Sequence, residues 1–193
     1  MLVQLFTALG FDTGYDLTTA LSGPEIDTIS QAGLERIEGG RTTPYVIKSP
    51  IYADLLPPLL NSGTIRLRAV ILPMRDLFSA AQSRIRVTQE AVAAGGSLET
   101  EHPGGMWLTR TPEDQESKLA LQFYKIMQVL TAFDIAPITM EFPKLARDAT
   151  YLRARLAPVL DAHGVSCAEF DAAFVRVVRP ERIHDFFPPE PGG

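Results

Sequence analysis

The chain reads as an α/β protein with a parallel sheet, and three observations predict it. Residues 68–73 (RAVILP) and 135–142 (IAPITMEF) are short apolar runs with the length and β-branched content of buried strands. Residues 44–48 (PYVIK) form a third such run, and a helix-length segment at 51–61 separates it from the run at 68, the spacing of a βαβ crossover. Hydrophobic residues make up 46% of the chain and charged residues 21%, the composition of a folded domain. At 193 residues one domain suffices, spanning 1–185, with a Pro/Gly tail at 186–193 expected to be disordered.

The elements follow in order. Leu2, Leu5, Phe6 and Leu9 recur at helical spacing, and Gly10 supplies the stop. Residues 22–40 mix Gly, Pro, Ser, Thr and acids, which predicts a loop carrying a short helix at 25–34. The strand at 44–48 ends at Ser49-Pro50, and Ser62-Gly63 closes the helix at 51–61. After the run bounded by Pro73 comes Arg75, then Asp76 as N-cap of a helix over 77–94. That helix carries Ser79 and Ser83 on one face and leaves Arg84, Arg86 and Glu90 exposed. Residues 95–111 form a loop long enough to be functional or mobile, with Glu99, Glu101, His102 and Trp107 in it. Thr111-Pro112-Glu113-Asp114 starts the next helix, whose stripe Leu119, Phe123, Ile126, Met127 and Leu130 is assigned to the core. The strand at 135–142 gives way at Pro143 to a helix over 146–160. Arg176, Arg179 and Arg182 near the end read as a solvated basic stretch.

Charge and cysteine content exclude several functions. A formal net charge of −5 gives no basic face for nucleic acid. Cys167 is the single cysteine, so neither an intrachain disulfide nor a cysteine-held zinc is expected, and no carboxylate or histidine cluster has metal-ligand spacing. The opening residues lack a basic n-region, and no apolar stretch reaches membrane-spanning length, so a soluble, cytoplasmic protein that binds no membrane is expected.

The chemistry concentrates where strands end. Arg75 lies just past the carboxyl end of its strand, the position at which open α/β sheets hold ligands, and a guanidinium there with a helix hydroxyl such as Ser83 makes a phosphate site. This strand–Arg–helix–Ser pattern, with Ser83 eight residues after Arg75, resembles the 3′-phosphate-binding segment of the sulfotransferases. Lys48-Ser49-Pro50-Ile51-Tyr52 resembles a lysine-serine-proline-x-tyrosine motif of glycan and bacterial sulfotransferases, although Ile47 stands where many relatives carry an acid. Phe142, Pro143, Leu145 and Asp148 fit the outline of a late turn in the same family.

The resemblance covers residues 2–160 and implies a three-layer α/β/α P-loop-type fold that lacks its first strand. It implies sulfuryl transfer from 3′-phosphoadenosine 5′-phosphosulfate to a hydroxyl or amine of a small-molecule or glycan acceptor. Arg75 and Ser83 would bind the cofactor, Lys48 would sit by the sulfuryl group, and Glu35 and His102 are the candidates for the general base. No glycine-rich loop followed by a basic residue and a hydroxyl is present to hold the 5′ end. The chain is therefore expected to lack transfer activity as it stands, with strands flanking the missing one left unpaired. A non-catalytic nucleotide-binding homologue and a truncated P-loop kinase fit the same residues.

Overall fold

The computed structural model describes residues 1–30, 32–36, 43–179 and 183. The tail from 184 onward, Arg182 and the glycine pair at 39–40 lie outside the described residues. Among the described residues, seven helices and two strands follow in the order α1 (Leu2–Ala8), α2 (Leu17–Ser22), α3 (Tyr52–Asn61), β1 (Ile71–Met74), α4 (Leu77–Ala93), α5 (Gln115–Ala132), β2 (Ile138–Glu141), α6 (Ala149–Leu160) and α7 (Cys167–Val177). The protein is mixed α/β, and β1 and β2 form its two-stranded parallel sheet, with Ile71 opposite Ile138 and Met74 opposite Glu141.

The two strands are bonded directly to each other, so no gap stands between them and the expectation of unpaired neighbouring strands is corrected. The N–H groups of Ile138 and Phe142 donate to the carbonyls of Val70 and Met74 at 2.8 and 2.6 Å, so even-numbered residues of both strands face the shared ladder. Odd-numbered residues face outward. On β2 those outward groups are met by side chains of α6: the Glu141 N–H donates to Tyr151 Oη at 2.7 Å, and the Arg155 guanidinium donates to the Thr139 carbonyl. Two helix side chains thus stand where a further strand would bond, which blunts the edge. On β1 the outward residues include Pro73, which lies inside the strand and does not bound it. Proline is tolerated there because the missing N–H belongs to an outer edge. Neither strand is buried on both faces: β1 has no buried residue and β2 buries only Met140.

Three further expectations are corrected. The described residues of 25–34 are not helical. Asp27 accepts from Ile29 N and Ser30 N at 3.0 and 2.6 Å, and Ile26 bridges Gly33 antiparallel. Local side-chain bonds of this kind compete with a helix, and Gly33 (φ +133) is pressed so close that an added Cβ would lie 2.0 Å from the Glu25 carbonyl. Residues 44–48 form no strand, because their backbone bonds go to two different places. Val46 N donates to Asp12 O at 2.9 Å, and Lys48 O accepts from Arg36 N at 3.0 Å. The predicted core stripe of α5 is only partly covered, with Leu130 buried and Phe123 40% exposed.

The main core lies elsewhere. Leu5 and Phe6 of α1, Met140 of β2, Leu152, Leu156 and Leu160 of α6, and Phe170, Ala173 and Val177 of α7 are buried together. Val3, Ala20 and Leu34 form a smaller cluster. Helices α3 and α4 each pack on α5 outside both, with Lys125 paired to Asp54 at 3.4 Å. Among the described residues no helix is long and apolar enough to cross a membrane.

The end of α5 provides a local test. Asp134 holds φ +52, Asp134 N donates to Thr131 O, and Ile135 N donates to Leu130 O at 2.8 Å, the paired bonds of a Schellman cap. A left-handed conformation costs a non-glycine residue about 1 kcal/mol. Replacing Asp134 by glycine removes that strain at some expense in chain entropy, so Asp134→Gly is expected to raise the melting temperature by about 1–3 °C. A drop in a thermal melt would show that the Asp134 side chain is itself a needed cap.

Candidate functional site

Arg75 follows β1 directly, and the carboxyl ends of both strands open into a cleft of about 620 Å³. Met74, Arg75, Glu141, Phe142, Tyr151 and Arg155 are among the residues on its walls. The Arg75 guanidinium lies 5.1 Å from the centroid of the Phe142 ring, and Lys144 Nζ lies 4.6 Å from that of Tyr151. Arg155 and Tyr151 also bond the β2 edge. Asp76 caps α4 as expected: Oδ1 accepts from Ser79 N at 2.9 Å. That backbone bond, then the Ser79 hydroxyl, holds the Asp76 carboxyl below the usual carboxylate range. Ser79 is buried, and Ser83 lies half-buried one turn further along α4, outside the cleft's lining.

Two of the other candidates meet at a second place. Lys48 Nζ donates to Glu35 Oε1 and to the Gly33 carbonyl, both at 3.0 Å, so two residues chosen separately from sequence are in contact. Both side chains are a little under half exposed, so the pair contributes little to stability. The α-amino group at the head of α1 is close by. Desolvation, then the Lys48 charge, pulls it down to about 6.

Arg84, which the helical pattern puts on the exposed face, is a residue the sequence did not single out. It is half-buried, its Nη1 donates to the Gly105 carbonyl at 2.8 Å, and its guanidinium lies 5.8 Å from the Trp107 ring centroid. Desolvation lowers its pKa, while the charges of Glu35 and Glu101 oppose that shift. Arg86 and Glu90 are exposed as expected and pair at 2.6 Å.

The 95–111 loop is fastened to the helices at one short stretch. Thr88 Oγ1 accepts from Met106 N at 2.7 Å, Gln115 Oε1 accepts from Trp107 N at 2.8 Å, and Gln115 Nε2 donates to Trp107 O at 3.3 Å. Thr88 and Gln115 are buried polar residues satisfied by these bonds. His102 lies in the loop, where its Nε2 contacts the Ser97 carbonyl at 2.9 Å.

A separate hollow of about 410 Å³ lies between the end of α1 and α7, with His163 and Arg176 on its wall and none of the sequence candidates. Among the described residues no cluster of three or more His, Cys, Asp or Glu can hold a metal ion. The chain matches no known protein-family profile, no curated protein sequence and no solved structure.

Proposed function

We propose that the chain is a sulfotransferase-like unit of the three-layer P-loop type. In this reading it takes 3′-phosphoadenosine 5′-phosphosulfate as co-substrate and passes the sulfuryl group to a hydroxyl or amine of a small molecule or glycan. The observation that carries the reading is the position of Arg75, directly after a parallel strand and on the wall of a cleft across the strands' carboxyl ends. Arg75 holds the 3′-phosphate by charge-assisted hydrogen bonds. The contact between Lys48 and Glu35 near the head of α1 supports the transfer step. Glu35 accepts the proton of the acceptor hydroxyl as the acceptor oxygen bonds to sulfur. The bond from sulfur to the bridging oxygen breaks, and Lys48 leaves Glu35 to stabilise the charge arriving on that oxygen. Adenosine 3′,5′-bisphosphate is the other product. His102, held in its own loop, is not needed as base.

Calorimetry with adenosine 3′,5′-bisphosphate tests the site. Losing a charged hydrogen bond costs about 1.5–3 kcal/mol, so Arg75→Ala is expected to bind at least about tenfold more weakly than wild type. Equal affinities, or no binding by the wild type, would overturn the assignment. Binding that depends on Arg75, without transfer of labelled sulfuryl groups to any acceptor in a panel, would leave a non-catalytic nucleotide-binding protein.

A further inference from the structure

The last helix carries an arginine that its own structure leaves uncommitted. Arg179, which follows α7, donates from Nη1 to the carbonyls of Arg176 and Val178 at 3.1 and 2.8 Å. It is therefore the cation that meets the free carbonyls at the helix end, and Arg176 in the last turn is released from that role. Among the described residues the Arg176 side chain makes no hydrogen bond or ion pair, and it stands on the wall of the hollow of about 410 Å³ between α1 and α7.

The acid on the same wall is already engaged. Glu169 Oε2 accepts from Ser166 N and Ser166 Oγ at 2.9 and 2.7 Å, closing the capping box of α7. The rise from residue 169 to residue 176 is about 10 Å along the helix axis, so an anion at Arg176 lies about one Debye length from that carboxylate. Between the two the lining is aliphatic, with Leu9 from the end of α1, Val165 ahead of α7, and Ala172 and Ala173 on it. Ala173 belongs to the main core, and Leu9 and Val165 pack against that core, so this floor is firm. His163 is fixed on the wall as well: its ring centroid lies 4.9 Å from that of Phe11 and 5.1 Å from that of Tyr45, and its Nδ1 meets the Val159 carbonyl at 2.9 Å.

We propose that this hollow binds an aliphatic monocarboxylate, with the carboxylate on the Arg176 guanidinium and the hydrocarbon chain along the floor toward Val165. The charge follows from the guanidinium, whose forked N–H donors match a carboxylate. The chain follows from the methyl-lined floor, where covering apolar surface is what a ligand gains. The length follows from the distance of about 10 Å between the two ends of the wall, which suits a chain of several carbons and leaves most of it unused by acetate. The hollow shares no lining residue with the cleft at Arg75, so the proposal stands or falls apart from the sulfotransferase reading.

Amide shifts of the isotope-labelled whole chain are followed as sodium hexanoate is added at constant ionic strength, with sodium acetate, hexanol and inorganic phosphate as comparisons. Hexanoate is expected to move the amides of Leu9, Val165 and Ala172 saturably, and each comparison compound to bind at least about tenfold more weakly. Arg176→Gln keeps a good helix former and should weaken hexanoate binding at least about tenfold while leaving that of hexanol unchanged. Ala172→Leu fills the hollow and should remove the saturable shifts at Leu9 and Val165. Ala172 and Arg176 are both exposed, so both variants are expected to melt as wild type does. Unaltered hexanoate affinity in Arg176→Gln, equal affinities for hexanoate and hexanol, or phosphate or acetate binding as tightly as hexanoate would each overturn the proposal. Hexanoate shifts that never saturate would do the same.

Discussion

Gln115→Leu is expected to destabilise the protein by about 2–6 kcal/mol and to release the Trp107 backbone. The side chain is fully buried and spends both ends of its amide on one residue, accepting from Trp107 N and donating to Trp107 O. Leucine fills similar space but makes neither bond. Each buried backbone group left without a partner costs about 1–3 kcal/mol, which sets the range. The loop then has two of its four anchors, through Arg84 and Thr88, and the red shift of tryptophan emission in the folded protein reports the loss. A native-like emission spectrum with unchanged urea midpoint would show that Gln115 merely fills space.

The charged variant makes the same point with a sign. The carboxylate introduced by Gln115→Glu retains an acceptor for Trp107 N but sets a second acceptor against the Trp107 carbonyl. Buried, that carboxyl is expected to have a raised pKa, because its protonated form alone donates to the carbonyl. A raised folded-state pKa contributes stability below the unfolded value near 4.3 and loses it as pH rises through the folded one. The gap between Gln115→Glu and wild type should therefore widen from about pH 4 to about pH 8, as thermal melts across that range will record.

The sequence revealed helices better than sheet and the strand-end site better than the loop site. Asp76, and Asp148 ahead of α6, are caps whose side-chain bonds are local, so their helices begin close to where the residues suggest. Two helices went unread although their signals are of the same kind: Asp16 caps α2 through Thr19 N, and Ser166 with Glu169 makes a full capping box for α7. Residues 44–48 have strand composition but no ladder partner, and pairing is a property of the whole chain that composition does not carry. Arg75 was legible because a strand end is a local event. Arg84 was not, because its carbonyl partner Gly105 lies 21 residues away in a loop that folds back over α4, and the helical period alone put it outward. Lys48 and Glu35 were each named for chemistry, and their contact is visible only once the chain around Gly33 has turned.

Phe170→Ala is expected to cost about 3–5 kcal/mol, against roughly 5–15 kcal/mol for a typical whole domain. Phe170 is fully buried among α1, α6 and α7, and its ring stacks on Phe174 with centroids 6.2 Å apart. Alanine leaves a cavity there that helices anchored by Leu152, Leu156 and Leu160 cannot collapse to fill. Phe123→Ala on α5 removes the same ring from a 40% exposed site outside both core clusters, and the cost should be nearer about 1 kcal/mol. The contrast states where the stability resides: in the α1–β2–α6–α7 unit, with α3, α4 and α5 as a looser layer that anchors the 105–107 stretch through Arg84, Thr88 and Gln115. Amide exchange should follow the same division, with the α6 and α7 amides exchanging only on global unfolding and much of α5 exchanging by local opening. Equal losses in urea for the two alanine variants, or equal protection of α5 and α6, would mean that the layers fold as one and that the 105–107 stretch draws its rigidity from the whole protein and not from its three anchoring side chains.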